Sequence, residues 1–305
     1  MTTQSFPKSV CIREVGPRDG LQNEAKFIQT DDKIQWIDHL SNSGLNYIEV
    51  TSFVNPTWIP ALSDAEYVAK RIKKNPDVTY AALVPNTKGL FRALEGGIDE
   101  VAVFISASET HNKKNINKTI SESEIVLSEV VTQSISNKKT VRGYISTVFG
   151  CPYEGNIEID QVIRLADSLF EMGIHELSLG DTIGVANPSQ VKLVLEKLLK
   201  RYPIESIAMH FHNTRGTALA NVLASLEMGI SKFDSSLGGL GGCPYAPGAS
   251  GNLATDDLNY MLTNMGIETN IDPVKLHAAA LYIQDKLQKP LDSYSVKYYE
   301  SNLIN

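Results

Sequence analysis

The amino-acid sequence predicts an α/β fold, a (β/α)8 TIM barrel, from two observations. Eight short segments rich in β-branched and aromatic residues recur at intervals of roughly 25 to 40 residues, and patterns typical of helices lie between them. Strands that alternate with helices along a chain form a parallel sheet. Eight such units in 305 residues fit a closed barrel better than an open, doubly wound sheet.

The predicted strands are short runs whose composition suits a pleated, buried surface. In chain order they are SVCIREV, YIEVTSF, VTYAALV, EVAVFIS, TVRGYIST, HELSLGD, SIAMHFH and KFDSSLG. No stretch rich in proline and serine divides them. We therefore expect a single catalytic domain over residues 1–305, with the barrel at about 8–265 and a C-terminal helix and tail at about 272–305.

Capping residues predict where several helices begin and end. Two pairs, Ser63 with Glu66 and Ser121 with Glu124, have the spacing of a capping box after the second and fourth strands. Thr255 is the predicted N-cap of the helix after the eighth strand.

Asn187 followed by Pro188 predicts a further helix start, since proline is favoured at the first helical position. Gly173 and Gly229 follow apolar residues spaced for one helix face, so each is the predicted end of a helix.

Composition argues against several classes of function. The net charge is -7, whereas nucleic-acid-binding proteins typically carry a basic surface. The sequence contains no run of about 18 apolar residues, so no membrane span is predicted. The N-terminus MTTQSFPKSV has no signal-peptide pattern, so a cytoplasmic location is expected. Cys11, Cys151 and Cys243 lie far apart, which predicts reduced thiols.

Polar residues occur at or near the carboxyl ends of the predicted strands, where barrel enzymes hold their chemistry. Arg18 and Asp19 follow the first strand, Glu49 lies in the second, and Asp181 ends the sixth. Each has a purely structural alternative. The RDG run could form a surface turn, Glu49 could face solvent or be buried with a partner, and Asp181 could form an Asx-turn.

His210 and His212 end the seventh predicted strand and point to the same side, because residues two apart in a strand share a face. They could be unrelated, hydrogen-bonded histidines, or they could bind one metal ion. Together with Asp19 they offer one carboxylate and two imidazoles, which suit Mg²⁺, Mn²⁺, Zn²⁺ or Fe²⁺. Mg²⁺ or Mn²⁺ would leave positions for two substrate oxygens.

Five motifs together resemble the 3-hydroxy-3-methylglutaryl-CoA lyase family, within the metal-dependent barrel lyases and Claisen-type synthases. They are EVGPRDGLQNE, IEVTSFVNPTWIP, LSLGDTIGVANP, HFH and GGLGGCPYAPGASGNLATDD, and the resemblance extends from about Val10 to about Asp285. It implies a retro-Claisen cleavage of 3-hydroxy-3-methylglutaryl-CoA to acetyl-CoA and acetoacetate with Mg²⁺ or Mn²⁺. It also implies an acyl-CoA thioester as substrate, a homodimer or higher homo-oligomer, and a place in leucine degradation and ketone body formation.

The resemblance also assigns roles to residues at matching positions. The implied metal ligands are Asp19, His210 and His212, with Asn252 as a further ligand or close neighbour. Arg18 would steady the thioester oxygen, Cys243 would be the catalytic cysteine, and Glu49 and Asp181 would support the site. A carboxylate of the metal site or His210 would be the base that deprotonates the C3 hydroxyl.

The glycine-rich segment after the eighth strand is then best interpreted as a hinged lid. A linker would not lie between two packed elements of one domain, and a phosphate-binding loop would contain a lysine. Glycines permit backbone conformations and movement that larger residues resist. Such a lid would bring Cys243 over the substrate and end with Asn252 at the metal.

Three positions depart from the family pattern. Asn213 and Arg215 stand in NTRG where DTYG is expected, and Ala25 stands where a lysine is expected. Asn213 removes a carboxylate that would orient a metal-bound histidine, and Arg215 would reshape the acyl pocket. A lyase for a different 3-hydroxy-3-substituted glutaryl-type acyl-CoA is therefore the first alternative.

Two further alternatives and one binding hypothesis are open. A Claisen condensing synthase would have an added C-terminal domain and a motif closer to DTTLRDGEQ. A non-catalytic binding barrel would have no need to retain Arg18 and Cys243 beside the metal ligands. Lys113, Lys114 and Lys118 would either meet CoA phosphates or belong to a solvated loop.

Overall fold

The computed structural model describes residues 6–242 and 251–303, and its centre is a closed barrel of parallel strands. The strands follow one another around the barrel in chain order, and β8 closes it by pairing with β1. The strands are β1 (Cys11–Glu14), β2 (Tyr47–Ser52), β3 (Thr79–Leu83), β4 (Glu100–Ser106), β5 (Thr140–Ser146), β6 (Glu176–Asp181), β7 (Ile207–Phe211) and β8 (Lys232–Ser235). The predicted fold class is thereby confirmed, and each strand lies within the segment predicted for it.

Helices follow the strands and cover the outside of the barrel. They are α1 (Thr30–Ser41), α2 (Ala65–Arg71), α3 (Thr87–Glu95), α4 (Glu109–Ile116), α5 (Ile120–Ser136), α6 (Ile159–Met172), α7 (Pro188–Leu198), α8 (Ala218–Glu227), α9 (Thr255–Asn264), α10 (Pro273–Leu287) and α11 (Tyr294–Leu303). Every residue of β2, β6 and β7 is buried, because the helices cover one face and barrel side chains fill the other.

Three of the predicted helix ends are confirmed. The Asn187 side chain accepts a hydrogen bond from the backbone N–H of Gln190 (3.1 Å), and α7 begins at Pro188. Gly173 follows α6 with φ 108° and Gly229 follows α8 with φ 88°. Both angles lie in the left-handed region that glycine adopts without a steric penalty.

The Ser63–Glu66 capping box was wrong. Ser63 ends a short 3₁₀ turn, and α2 begins after Asp64 without a side-chain cap. The Glu66 carboxylate instead accepts a hydrogen bond from Arg92 of α3. An interhelix ion pair therefore takes up the glutamate that a capping box would have used locally.

The Ser121–Glu124 box was also wrong, by two residues. The N-cap of α5 is Thr119, whose hydroxyl accepts from the Glu122 N–H (3.1 Å) while Glu122 accepts from the Thr119 N–H (2.7 Å). Both pairs match the same motif, and the buried Ile120 at the first helical position places the start at the earlier one.

Two features of the C-terminal region differ from the prediction. Thr255 is the first residue of α9 rather than its N-cap, and its hydroxyl donates to Glu14 (2.6 Å). The predicted tail after α10 contains a second helix, α11, which packs against α9 and buries Val296. Within the described ranges, no helix combines the length and apolar character needed to cross a bilayer.

Replacing Thr119 by alanine is expected to lower the free energy of unfolding by about 1 kcal/mol, because an N–H of α5 loses its cap. Ser121→Ala, two residues away on an exposed position of the same helix, is the matched control and should change it by less than about 0.5 kcal/mol. Urea unfolding of both variants measures the difference. Equal effects, or a larger one for Ser121→Ala, would contradict this helix start.

Candidate active site and metal centre

Arg18 and Asp19 lie in a tight turn at the carboxyl end of β1. The backbone N–H groups of both residues donate to the carbonyl of Val15, at 3.1 and 2.7 Å. Gly16 and Gly20 flank the pair where a Cβ would come within 2.5 Å of Glu14 and 2.7 Å of Ser236, respectively. This close packing buries Arg18, so the RDG run is not a surface turn.

The two histidines and Asp19 converge above the carboxyl end of β7. One donor atom from each of Asp19, His210 and His212 can be chosen so that all three lie within 4.8 Å of one another. Nε2 of His210 is 3.9 Å from Oδ2 of Asp19. Asn252 is the bridge partner of His212, and its side-chain N–H donates to the same Asp19 oxygen (2.7 Å). The structure thus brings together all four predicted metal-site residues.

The donor chemistry of this group fits a divalent cation. Nδ1 of His212 and Oδ1 of Asn252 are buried, and neither has a hydrogen-bond partner among the described residues. Buried polar atoms without partners are rare, since leaving them unpaired costs free energy. Nitrogen and oxygen donors gathered with a carboxylate suit Mg²⁺, Mn²⁺ or Zn²⁺.

The protonation states of the ligands also suit metal binding. Burial, followed by the charge of His210, lowers the pKa of His212 to about 4, so its imidazole is neutral at pH 7. Burial alone would raise the pKa of Asp19, but Arg18, His210 and His212 outweigh it and lower that pKa. A neutral imidazole and an ionised carboxylate have the free lone pairs that a cation requires.

Glu49 is buried and fixes the guanidinium of Arg18. Nε of Arg18 donates to one Glu49 oxygen (2.9 Å) and Nη2 to the other (3.2 Å), while Nη1 pairs with Asp19. Burial tends to lower the pKa of Arg18, but Asp19 and Glu49 outweigh it and raise that pKa. A bidentate pair of this kind holds a permanent positive charge in one orientation beside the candidate metal centre.

A further set of buried residues, absent from the sequence prediction, connects Glu49 with His210. The Tyr144 hydroxyl donates to Glu49 (2.6 Å), and Arg142 donates to that hydroxyl. Arg142 also donates to Asp234 (2.5 Å), which lies 3.2 Å from Nδ1 of His210. We call this chain the interior circuit; its members are Arg18, Glu49, Tyr144, Arg142, Asp234 and His210.

Part of the interior circuit carried a signal in the sequence. Arg142 and Tyr144 are two residues apart on β5, the spacing that placed His210 and His212 on one face. A charged residue in an otherwise apolar barrel strand must face a partner inside the barrel. Asp234 of β8 had no such local signal, because its segment KFDSSLG contains other polar residues among which an aspartate does not stand out. Its partner Arg142 lies 92 residues away.

Asp181 ends β6 and shapes the loop before α7. Its carboxylate accepts from the backbone N–H groups of Val185 (2.9 Å) and Ala186 (3.1 Å), and burial raises its pKa to about 6. These contacts reach four and five residues along the chain, so they hold the loop without forming the Asx-turn alternative, which would bond the N–H two residues on. Its predicted support of the site would therefore act through the loop conformation.

Cys243 lies outside the described residues, but the base of the glycine-rich segment is described. The backbone N–H of Leu237 donates to Glu14 (3.0 Å) and that of Gly238 to Asp256 (2.9 Å). Burial raises the pKa of Glu14 to about 7, and burial with the nearby Asp257 charge raises that of Asp256 to about 7. Two buried carboxyl groups thus anchor the start of this segment.

Two of the three departures from the family pattern, Arg215 and Asn213, have hydrogen bonds to the backbone. Arg215 is exposed and donates to the carbonyls of Ile183 (2.7 Å) and Gly184 (3.1 Å), so it ties the β7–α8 loop to the β6–α7 loop. The Asn213 side chain accepts from the N–H of Ala218 at the start of α8 (3.2 Å). Ala25 is exposed.

The lysine-rich stretch begins in α4, which follows β4 at the same end of the barrel. Lys113 pairs with Glu109 (3.2 Å), and the ammonium of Lys114 lies 5.1 Å from the centre of the Tyr153 ring. Lys118 follows in the turn before α5. Contact of these lysines with CoA phosphates stays a prediction.

The eight-stranded barrel and the donors at its carboxyl end define a TIM-barrel protein with a possible metal centre. The HMGL-like family model matches residues 9–283. The chain therefore belongs to the HMGL-like family.

Individual relatives agree with this membership. The chain is 61% identical to hydroxymethylglutaryl-CoA lyase YngG of Bacillus subtilis (strain 168), over 97% of this chain and 99% of the relative. The crystal structure of the Bacillus subtilis HMG-CoA lyase superposes with a TM-score of 0.96 at 61% identity, covering 97% of this chain and 99% of the other. An HMG-CoA lyase from Acinetobacter baumannii in complex with coenzyme A and 3-methylmalate superposes with a TM-score of 0.92 at 43% identity, over 97% and 96% of the two chains.

The free energy of unfolding of Asp256→Asn, relative to that of the wild type, is expected to rise as the pH rises. The native pKa of Asp256, about 7, lies above the ordinary value of 3.8, so the native state binds more protons between these pH values. The wild-type carboxyl therefore lowers the free energy of unfolding as the pH rises through this window, by up to about 1.4 kcal/mol per pH unit.

Urea unfolding of the wild type and Asp256→Asn at pH 5, 6, 7 and 8 measures the difference in unfolding free energy. That difference should grow in favour of the variant up to about pH 7 and then level off. Glu14→Gln should behave in the same direction, since the native pKa of Glu14 is also about 7. A difference that is constant or shrinks with pH would contradict the burial of a protonated carboxyl here.

Proposed function

We propose that this chain is a carbon–carbon lyase that cleaves 3-hydroxy-3-methylglutaryl-CoA into acetyl-CoA and acetoacetate. Its cofactor would be a divalent metal, Mg²⁺ or Mn²⁺. The observation that carries the proposal is the convergence of Asp19, His210 and His212 beside the fixed charge of Arg18, in a barrel of the HMGL-like family. The relatives named as HMG-CoA lyases support the choice of substrate.

The metal would be held by Asp19, His210 and His212, with the unpaired Oδ1 of Asn252 as a further donor. When bound, it would lower the pKa of the substrate's C3 hydroxyl and neutralise nearby negative charge. Asp19 is ionised and His212 is neutral before any cation arrives. Neither of these two residues therefore needs to lose a proton to bind the cation.

The cleavage begins with loss of the proton of the C3 hydroxyl to a carboxylate of the metal site, because a neutral His210 that binds the metal would have no lone pair left to accept that proton. The C3–O bond becomes a carbonyl as the C2–C3 bond breaks. The electron pair of that bond enters the enolate of acetyl-CoA, and C3 leaves as the ketone of acetoacetate. A proton then adds to C2 of the enolate.

Arg18 would stabilise the negative charge that develops on the thioester oxygen. Its guanidinium is held by both oxygens of Glu49, so little reorganisation is needed when that charge appears. Glu49 is in turn fixed by the hydroxyl of Tyr144. Loss of one such donor in an enzyme costs about 100- to 1,000-fold in kcat.

Cys243 would deliver the proton to C2 from the glycine-rich segment. This segment leaves the barrel after β8 and returns at Gly251, whose carbonyl accepts from the N–H of Asn213 beside the metal site. A thiol carried on a loop that closes over the site would act where water is excluded.

The side chains of Arg215 and Asn213, which depart from the family pattern, are both engaged in contacts with the backbone. Arg215 binds two backbone carbonyls of the β6–α7 loop, and the Asn213 oxygen meets the first turn of α8. Arg215 therefore joins two loops, and Asn213 holds the start of α8.

The cytoplasmic location, the homo-oligomer and the single catalytic domain stay predictions of the sequence.

A thioester panel assayed with Mg²⁺ or Mn²⁺ tests the proposal. We expect acetyl-CoA and acetoacetate from 3-hydroxy-3-methylglutaryl-CoA, lower turnover of homologues with larger C3 substituents, and loss of activity with a chelator. Turnover that persists with the chelator, or no acetyl-CoA from any thioester, would contradict the proposal. Preference for a larger homologue would establish the alternative substrate.

Cys243→Ser is expected to bind Mn²⁺ like the wild type and to lose most of its turnover. The reason is that a serine hydroxyl is a much weaker acid than a cysteine thiol and releases its proton less readily. Cys11→Ser is the matched control. Cys11 lies at the amino end of β1, whereas the proposed site lies at the carboxyl ends of the strands, so this substitution should leave turnover unchanged. Steady-state kinetics with Mn²⁺-binding measurements separate the two effects. Retained turnover in Cys243→Ser would show that the cysteine is not the donor.

A further inference from the structure

The two ring nitrogens of His210 face different carboxylates. Nε2 points toward the metal centre, 3.9 Å from Oδ2 of Asp19. Nδ1 lies 3.2 Å from Oδ2 of Asp234. His210 and Asp234 are register partners on the neighbouring strands β7 and β8, so the backbone of the barrel sets this contact.

Toward His210, the Asp234 carboxylate can accept a hydrogen bond but cannot donate one. It is 1% exposed; one oxygen accepts from Arg142 (2.5 Å) and the other from Ser178 (2.7 Å). An ionised carboxylate has no proton to donate. The proton of a neutral His210 must therefore lie on Nδ1, which leaves the lone pair on Nε2, the nitrogen that faces Asp19.

We infer that Asp234 is a positioning residue that fixes His210 as its Nδ1–H tautomer and aims the Nε2 lone pair at the metal centre. The inference rests on the proposed function, because it assumes the metal centre of that proposal. Residues that hydrogen-bond a metal-binding histidine set its tautomer and ring orientation, and their loss typically costs 10- to 100-fold in metal affinity. Asp234 would thus act on the reaction through His210.

Asp234→Asn tests the inference because the asparagine cannot satisfy all three neighbours as the carboxylate does. Arg142 donates only, so it should take the amide oxygen and turn the amide N–H₂ toward Ser178 and His210. His210 would then accept at Nδ1 and carry its proton on Nε2. A proton would face the metal centre where a lone pair is needed.

Glu176→Gln is the matched control. Glu176 is a fully buried carboxylate that accepts from Arg142 (2.7 Å), Arg13 (2.5 Å) and Lys232 (2.7 Å). Its contacts are with these cations and do not include His210. A role of Asp234 that is only structural would make the two variants alike.

The experiment titrates the metal-free full chain with Mn²⁺ and follows free Mn²⁺ by electron paramagnetic resonance, with thermal unfolding of each variant measured in parallel. Asp234→Asn should weaken Mn²⁺ binding 10- to 100-fold, and Glu176→Gln should leave it within about twofold, even where both lower the melting temperature. Equal affinity of Asp234→Asn and the wild type, or equal weakening in both variants, would overturn the inference.

A second measurement keeps the test valid if Asp234→Asn does not fold. Long-range proton–nitrogen correlation spectra of metal-free protein with ¹⁵N-labelled histidine report which ring nitrogen carries the proton, and His210→Gln identifies the signal. The wild type should show Nδ1–H, and an Nε2–H tautomer would overturn the inference. A wild type that shows Nδ1–H but binds no Mn²⁺ would instead overturn the metal centre and leave the Asp234 contact standing.

Discussion

Charge pairing inside the barrel is the constraint on which the site depends. Arg18, Arg142, Glu49 and Asp234 are buried, and a buried ion without a partner is very costly. Each of these ions contacts one of opposite charge, and Tyr144 joins the pairs through its hydroxyl. Removing one partner of such a pair typically destabilises a protein by about 3–5 kcal/mol, so these side chains have little freedom to take other arrangements.

This constraint is what gives the proposed catalyst its fixed geometry. The interior circuit begins beside Asp19 at Arg18 and ends at His210, so its two ends flank the metal centre from β1 and from β7. The positive charge at one end and the imidazole at the other are oriented by the same chain of contacts. An active site that is oriented before substrate binds loses less free energy to reorganisation during the reaction.

The sequence predicted the architecture better than its details, for physical reasons. Strand composition and the βα alternation are local signals, and the carboxyl-end rule then placed Asp19 and His210 together. The Ser121–Glu124 capping box was wrong because Thr119–Glu122 matches the same motif, and only packing of Ile120 selects between them. The Ser63–Glu66 box was wrong because Glu66 pairs with Arg92 of another helix. Asp234 was missed because its partners His210, Ser178 and Arg142 lie 24, 56 and 92 residues away in the sequence, a separation that no local pattern reports.

We propose that Asp19, His210 and His212 form one divalent-metal site. Anomalous diffraction from crystals grown with Mn²⁺ tests it most directly. We expect a single Mn²⁺ bound by an oxygen of Asp19, Nε2 of His210 and a nitrogen of His212, with the Asn252 oxygen at or near the coordination shell. A saturated crystal with no Mn²⁺ at these residues, or with Mn²⁺ bound elsewhere, would contradict it.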